Sequence, residues 1–136
     1  MRSSVPLIFL TAIFSFSSCA ADVKSCSDLS GRWETTTDSP HIIISISPSS
    51  ESCGAGCVVL KLQYGENHNR LYCHEGVEGK EGVGPMVIAF EGAYGGHSVG
   101  TYNRQLKLLW GGVIPKNSAG KWEMKMDDYW FKNMDN

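Results

Sequence analysis

The chain has 136 residues, of which 19% are charged and 42% are hydrophobic, and its formal net charge is −2. This balance argues against a nucleic-acid-binding protein, which usually carries a strongly basic surface, and against a disordered chain, which has too few apolar residues to form a core. The length fits one domain, alone or with a processed leader.

The first twenty residues have the pattern of a secretory signal peptide. Arg2 supplies the positive start, residues 7–14 form a short apolar segment, and small residues surround Ala20. The apolar segment is too short for a membrane span, which needs about 20 apolar residues. We therefore expect residues 1–20 to be removed and residues 21–136 to form a single secreted, extracellular domain. A bacterial lipoprotein signal that ends at Cys19 is the alternative.

The rest of the chain shows a strand pattern and no helix pattern. Apolar residues alternate with polar ones, and segments rich in glycine, proline and asparagine separate the alternating stretches. The predicted strands, in chain order, are residues 31–36, 41–47, 57–64, 69–75, 85–91, 97–102, 105–113 and 121–131.

Most of these segments have one apolar face. Ile42, Ile44 and Ile46 share a face in the second strand, and the alternation places Trp110 and Trp122 on the inner face of the last two strands. One apolar face per strand and short links are typical of an antiparallel sheet. We therefore predict an all-β fold, an eight-stranded antiparallel up-and-down meander barrel that can hold a small ligand. A β-sandwich is the alternative.

Four cysteines remain after the leader, which contains Cys19. An even number suits the disulfide framework of a secreted protein. If residues 57–64 and 69–76 form a hairpin, Cys57 lies near Cys73 and Cys26 is left to pair with Cys53. Alternatively, the glycines between Cys53 and Cys57 let that segment close on itself. The absence of paired CxxC spacing argues against a zinc site.

Both ends of the predicted domain resemble the avidins. The first strand contains Gly31-Arg32-Trp33, and the last two strands carry Trp110 and Trp122, followed by Phe131. A Gly-x-Trp on the first strand is shared by avidins and lipocalins, the calycin type of small secreted β-barrel. The predicted length is closer to that of an avidin domain than to that of a lipocalin.

An avidin-like fold implies a biotin site at the open end of the barrel, often in a homo-oligomer. By this resemblance, Ser39 and Tyr64 contact the ureido oxygen, Trp110 and Trp122 form aromatic walls, and Asp128 stands near the group that accepts a ureido N–H.

The resemblance departs from the family pattern in the polar contacts and in the middle of the barrel. Thr35 stands where the family has an asparagine, and the strand at 85–91 lacks a tryptophan, so that Phe90 is the aromatic residue available as a wall. Each unpaired buried polar group costs about 1–3 kcal/mol. The ligand expected is therefore biotin or another small, partly apolar molecule.

No motif indicates catalysis, a metal site or a cofactor. The four histidines lack ligand spacing, no Gly-x-Ser-x-Gly motif occurs, and Asp127 and Asp128 fall on opposite faces of a strand. We therefore predict no enzymatic activity, no nucleic-acid partner and no membrane span.

Two functions fit these features. The first is a barrel that binds a small molecule at its open end. The alternative is a barrel with a filled core that binds a partner protein, or inhibits a protease, through its loops or a flexible N-terminal arm at residues 22–30. One of the consecutive aromatic residues at 129–131 must face outward, which suits a contact between subunits.

Overall fold

The computed structural model describes residues 23–75, 86–91, 96–114, 120–121 and 125–135. The predicted leader and Trp122 lie outside these residues. The described strands are β1 (Gly31–Thr35), β2 (Ile43–Ser52), β3 (Cys57–Tyr64), β4 (Asn67–Glu75), β5 (Met86–Glu91), β6 (His97–Asn103), β7 (Leu108–Ile114) and β8 (Asp127–Asn133).

The strands form one curled antiparallel sheet. Each strand pairs with the next along the chain, as Trp33 of β1 does with Ile44 of β2, and β1 also pairs with β8 through Thr35 and Phe131. Short links allow this order because antiparallel neighbours need only a turn between them. The predicted all-β antiparallel fold is confirmed.

A short 3-10 helix, Cys26–Leu29, precedes β1, so the prediction of no helix is wrong at this point. The Asp28 carboxylate accepts the Lys24 N–H at 2.9 Å and the Ser25 N–H at 2.8 Å. These backbone hydrogen bonds, first that from Lys24, lower the pKa of Asp28. Four residues are too few to show a helical period, but Ser25 and Asp28 have the spacing of a helix cap.

The N-terminal arm, residues 23–30, covers one end of the inner face of the sheet. Val23, Cys26 and Leu29 are buried in the same apolar cluster as the strands. The Trp33 indole N–H donates to the Leu29 carbonyl at 2.9 Å, and the Trp33 ring meets Tyr102 edge to face with centroids 6.3 Å apart. This end is therefore closed, and Trp33 belongs to the core.

The disulfides join Cys26 to Cys73 and Cys53 to Cys57. The pairing of Cys57 with Cys73 is wrong, and the closure of the 53–57 segment on itself is confirmed. Cys73 lies opposite Val58 in the register of β3 and β4, one residue away from Cys57. Because successive strand residues point to opposite faces, Cys57 and Cys73 face away from each other.

The inner face agrees with the prediction in β2 and β3 and differs in β7 and β8. Ile44, Ile46, Leu60 and Leu62 are buried as expected. In β7, Leu109 is buried and pairs with the buried Tyr102 of β6, so Trp110 takes the outer face. The prediction counted residues 105–107 as strand, whereas β7 begins only at Leu108, after a turn.

Candidate functional site

The inner face has a second end, the mouth, opposite the N-terminal arm. The β1–β2 loop, residues 36–42, and the β3–β4 turn, residues 65–66, connect strands at this end. β3 ends here at Tyr64 and β8 begins here at Asp127. Side chains at inner positions near these strand ends therefore lie between the core and solvent.

Two tyrosines take inner positions at the mouth. Tyr64 follows Leu60 and Leu62 on the inner side of β3 and is 45% exposed. Tyr129 of β8 is partly buried and meets Phe131 edge to face with centroids 6.5 Å apart. Burial, followed by the Asp127 charge, raises the pKa of Tyr129, and Tyr64 adds to this shift. Both tyrosines are therefore placed at this end of the inner face, one on β3 and one on β8.

A buried hydroxyl takes an inner strand position at the same end of the sheet. Ser98 is 7% exposed, and no described group forms a hydrogen bond with its Oγ. Ser98 shares the inner side of β6 with Tyr102. It pairs with Val113 of β7, and Val113 in turn pairs with Asp127 of β8. Leaving a buried hydroxyl unpaired costs about 1–3 kcal/mol. Ser98 is therefore a group that a bound molecule can satisfy.

The β1–β2 loop, which carries Ser39, is fixed by one buried side chain. The Thr35 hydroxyl lies 3.0 Å from the Thr37 carbonyl and 2.9 Å from the Pro40 carbonyl, and it accepts the Ile42 N–H at 3.0 Å. Its single hydrogen is shared between the two carbonyls. Thr35 thus supports the loop instead of offering its hydroxyl to a ligand. Ser39 lies exposed on the rim of the mouth.

Trp110 and Asp128 lie together on the outer face. The Trp110 indole N–H donates to the Asp128 carboxylate at 3.3 Å. The Trp110 ring covers Gly112, where an added Cβ would lie 2.9 Å from Cη2 of the ring. The prediction that Trp110 forms an inner wall is wrong, and Asp128 is likewise directed away from the inner face. The register with β7, which pairs Leu109 with Phe131, sets this orientation of β8.

The remaining predicted aromatic walls are described in part or lie outside the described residues. The backbone of Phe90 pairs with Leu71 of β4 and Ser98 of β6. The Phe90 side chain and the whole of Trp122 lie outside the part of the chain that the structure describes.

The structure places Tyr64, Ser98, Asp127 and Tyr129 at inner strand positions near the mouth. Sequence reasoning missed Asp127 and Tyr129 because it carried one alternation pattern from residue 121 through to 131, and it did not single out Ser98. Counting back in steps of two from Phe131 gives Tyr129 and Asp127 as inner residues, which is what the structure shows. Ser98 could have been found in the same way from Tyr102.

Within the described ranges, no group of three histidine, cysteine or acidic residues could hold a metal ion. The same ranges contain no helix that is long and apolar enough to cross a membrane.

Comparisons with known proteins add no relative: no family model matches the chain, and neither does any curated protein or solved structure. The functional assignment therefore depends on the geometry of the mouth.

Proposed function

We propose that this chain is a secreted binding protein whose curled sheet works as a closed eight-stranded barrel and holds a small, partly apolar molecule at the mouth. The observation that carries the proposal is the buried Ser98 hydroxyl without a described partner, at the end of the inner face where Tyr64 and Tyr129 also take inner positions. A few polar groups above an apolar core are typical of small-molecule sites.

The barrel and the compartment have independent support. The pairing of β1 with β8 joins the first and last strands of the sheet. The two disulfides are compatible with secretion, since such bonds persist in oxidising compartments. The N-terminal arm fills one end, which leaves the mouth as the end that a ligand would enter.

Biotin is the first ligand to test because of the avidin-like pattern. In that pattern Ser39 and Tyr64 would contact the ligand, whereas Trp110 faces outward and cannot form one of the walls. The thermal unfolding midpoint of the oxidised protein is measured with and without excess biotin. A ligand present at about 1,000 times its Kd stabilises the native state by about 4.1 kcal/mol. An unchanged midpoint would exclude biotin as the ligand.

A second experiment tests the mouth itself with a neutral apolar dye, prodan, whose fluorescence reports binding. Ser98→Leu places a bulky group at the mouth, and Val99→Leu adds similar bulk on the outer face of the same strand. We expect the first variant to weaken binding about tenfold or more, equivalent to at least about 1.4 kcal/mol, and the second to leave it unchanged. Ser98→Ala, which adds no bulk, shows whether the position tolerates change. Absence of dye binding to the native protein, or equal loss in both leucine variants, would contradict the proposal.

A protein-binding role is the second candidate, but it would use the outer face of the sheet and not the N-terminal arm. The N-terminal arm cannot serve as a flexible binding segment, because Cys26 and Leu29 are buried and Cys26 is joined to Cys73. The outer face offers a different surface, since the exposed apolar residues Tyr72, Val99 and Ile114 occur there. Sedimentation of the native protein and of Val99→Asp tests whether this face forms contacts between copies.

A further inference from the structure

We propose that the molecule bound at the mouth carries a positively charged amine, held by the Asp127 carboxylate and the Tyr64 and Tyr129 rings. This inference rests on the proposed function and adds the chemical class of the ligand. It comes from the distribution of charge between the two faces of the sheet.

The lysine and arginine residues of the described strands take outer positions. Each of these residues is next in sequence to an inner residue of its strand, so its side chain points to the opposite face. They are Arg32, Lys61, Arg70 and Lys132. The strand histidines at 68, 74 and 97 follow the same alternation. The inner face of the described strands therefore carries no cationic side chain.

Two carboxylates take inner positions in these strands, one at each end. Glu75 lies at the closed end, where its Oε1 accepts the Cys26 N–H at 2.8 Å. Asp127 lies at the mouth, in the same cross-strand row as Val113 and Ser98. Glu75 thus has a structural partner inside the protein, whereas Asp127 faces the space where we place the ligand.

The groups around Asp127 leave its charge available. Lys125 lies 3.6 Å from its Oδ1, but the Lys125 side chain is 84% exposed, and exposed pairs of this kind contribute little. The Tyr129 phenol feels the Asp127 charge and has a raised pKa, first because of burial. Tyr129 therefore remains an uncharged phenol at physiological pH. It neither repels an anionic ligand nor neutralises the charge of a cationic one.

This combination matches an organic cation. A carboxylate accepts a charge-assisted hydrogen bond from an ammonium group, and the faces of tyrosine rings attract a cation. The Ser98 hydroxyl, which has no partner among the described residues, can accept a further N–H from the same ligand. An anionic ligand would meet Asp127 as a like charge, and the inner face of the described strands holds no cationic side chain to offset it. Biotin, with a neutral head and an anionic tail, does not belong to this class.

The test compares three molecules with the same phenyl body and different head groups: phenethylamine, phenethyl alcohol and hydrocinnamate. Their affinities for the full oxidised protein are measured by NMR titration. We expect the amine to bind about tenfold or more tightly than the alcohol, as a charge-assisted hydrogen bond allows, and hydrocinnamate to bind more weakly than both.

Asp127→Asn should remove the preference for the amine and leave the affinity for the alcohol unchanged. Glu34→Gln is the matched control, because it removes one carboxylate from the outer face at the same end of the sheet and should change neither affinity. The amine affinity of the native protein should also fall as salt is added, unlike that of the alcohol.

The outcomes separate the two proposals. Equal binding of amine and alcohol, or an amine preference that survives Asp127→Asn, would overturn the proposal of a cationic ligand. In that case, prodan binding would still support the mouth as a binding site. Absence of binding by all three molecules and by prodan would overturn both.

Discussion

The two disulfides should differ in their contribution to stability, and the difference follows from the length of chain that each one closes. Cys26 and Cys73 are 47 residues apart, whereas Cys53 and Cys57 are 4 residues apart. In the chain-entropy model a bridge stabilises by restricting the unfolded chain, more so for a longer loop. With these separations the model gives about 4 kcal/mol for the first bridge and about 2 kcal/mol for the second.

The matched variants are Cys26→Ala with Cys73→Ala, and Cys53→Ala with Cys57→Ala. Urea unfolding without reductant, followed by tryptophan fluorescence, gives the free energy of unfolding of each. For a slope of about 2 kcal/mol per molar urea, the first pair should lower the midpoint by about 2 M and the second by about 1 M.

The folded state should widen this gap. Cys26 and Cys73 are both fully buried in the core, and their bridge holds the N-terminal arm against the inner face, whereas the 53–57 segment lies at a strand connection. Equal losses in the two double variants, or a larger loss from the short bridge, would refute the reasoning. A changed slope in one variant would show that the unfolded or native state itself had altered.

Three further predictions concern single side chains. Thr35→Val should lower the free energy of unfolding by about 1–3 kcal/mol, because it leaves backbone groups of the β1–β2 loop without a hydrogen bond. Thr35→Ser keeps the hydroxyl and should retain most of the stability. Equal urea midpoints for the two variants would contradict this prediction. Gly112→Ala should displace the Trp110 ring and the Met126 side chain and shift the tryptophan fluorescence, since the added Cβ would lie 2.9 Å from both. Gly111→Ala, whose Cβ would lie 3.6 Å from the Phe131 ring, should be tolerated. Similar spectra and urea midpoints for the two variants would argue against the packing described. The pKa of Tyr129 is raised, first by burial, so the folded state favours the neutral phenol. The stability that the protein gains from this phenol is fully present below the ordinary pKa of 10.0. It is lost as the pH rises through the higher pKa of the folded state. Tyr129→Phe should therefore flatten the loss of stability measured by urea unfolding above pH 10, and an unchanged pH profile would contradict this.

The strand pattern could be predicted from the sequence because alternation and turn residues are local signals. β3 was predicted with its observed ends, Cys57 and Tyr64, since a cysteine-bounded glycine segment and a tight turn flank it. β8 runs from Asp127 to Asn133, whereas the alternating pattern predicts a strand over 121–131; Met126, an apolar residue that continues this pattern, lies before the strand. Alternation alone cannot say where a strand begins.

The candidate site was harder to predict because it depends on register. Leu108, Leu109 and Trp110 are consecutive apolar residues, so either alternation gives β7 an apolar inner face. Pairing of Leu109 with Tyr102 decides between them, and this contact is made by a neighbouring strand. A shift by one residue moves every side chain of a strand to the other face, which is why Trp110 and Asp128 were misplaced together while Tyr64 was not.

The closed end also holds both described ends of the chain. The N-terminal arm leads directly into Gly31, and near the other terminus the Met134 N–H donates to the Arg32 carbonyl, while the Asp135 carboxylate accepts the Arg32 N–H, each at 2.8 Å. A tag or surface anchor attached at either terminus would therefore leave the mouth facing solution. Copies joined in tandem would present several accessible mouths, and such an array could gain avidity for a multivalent target without any new contact.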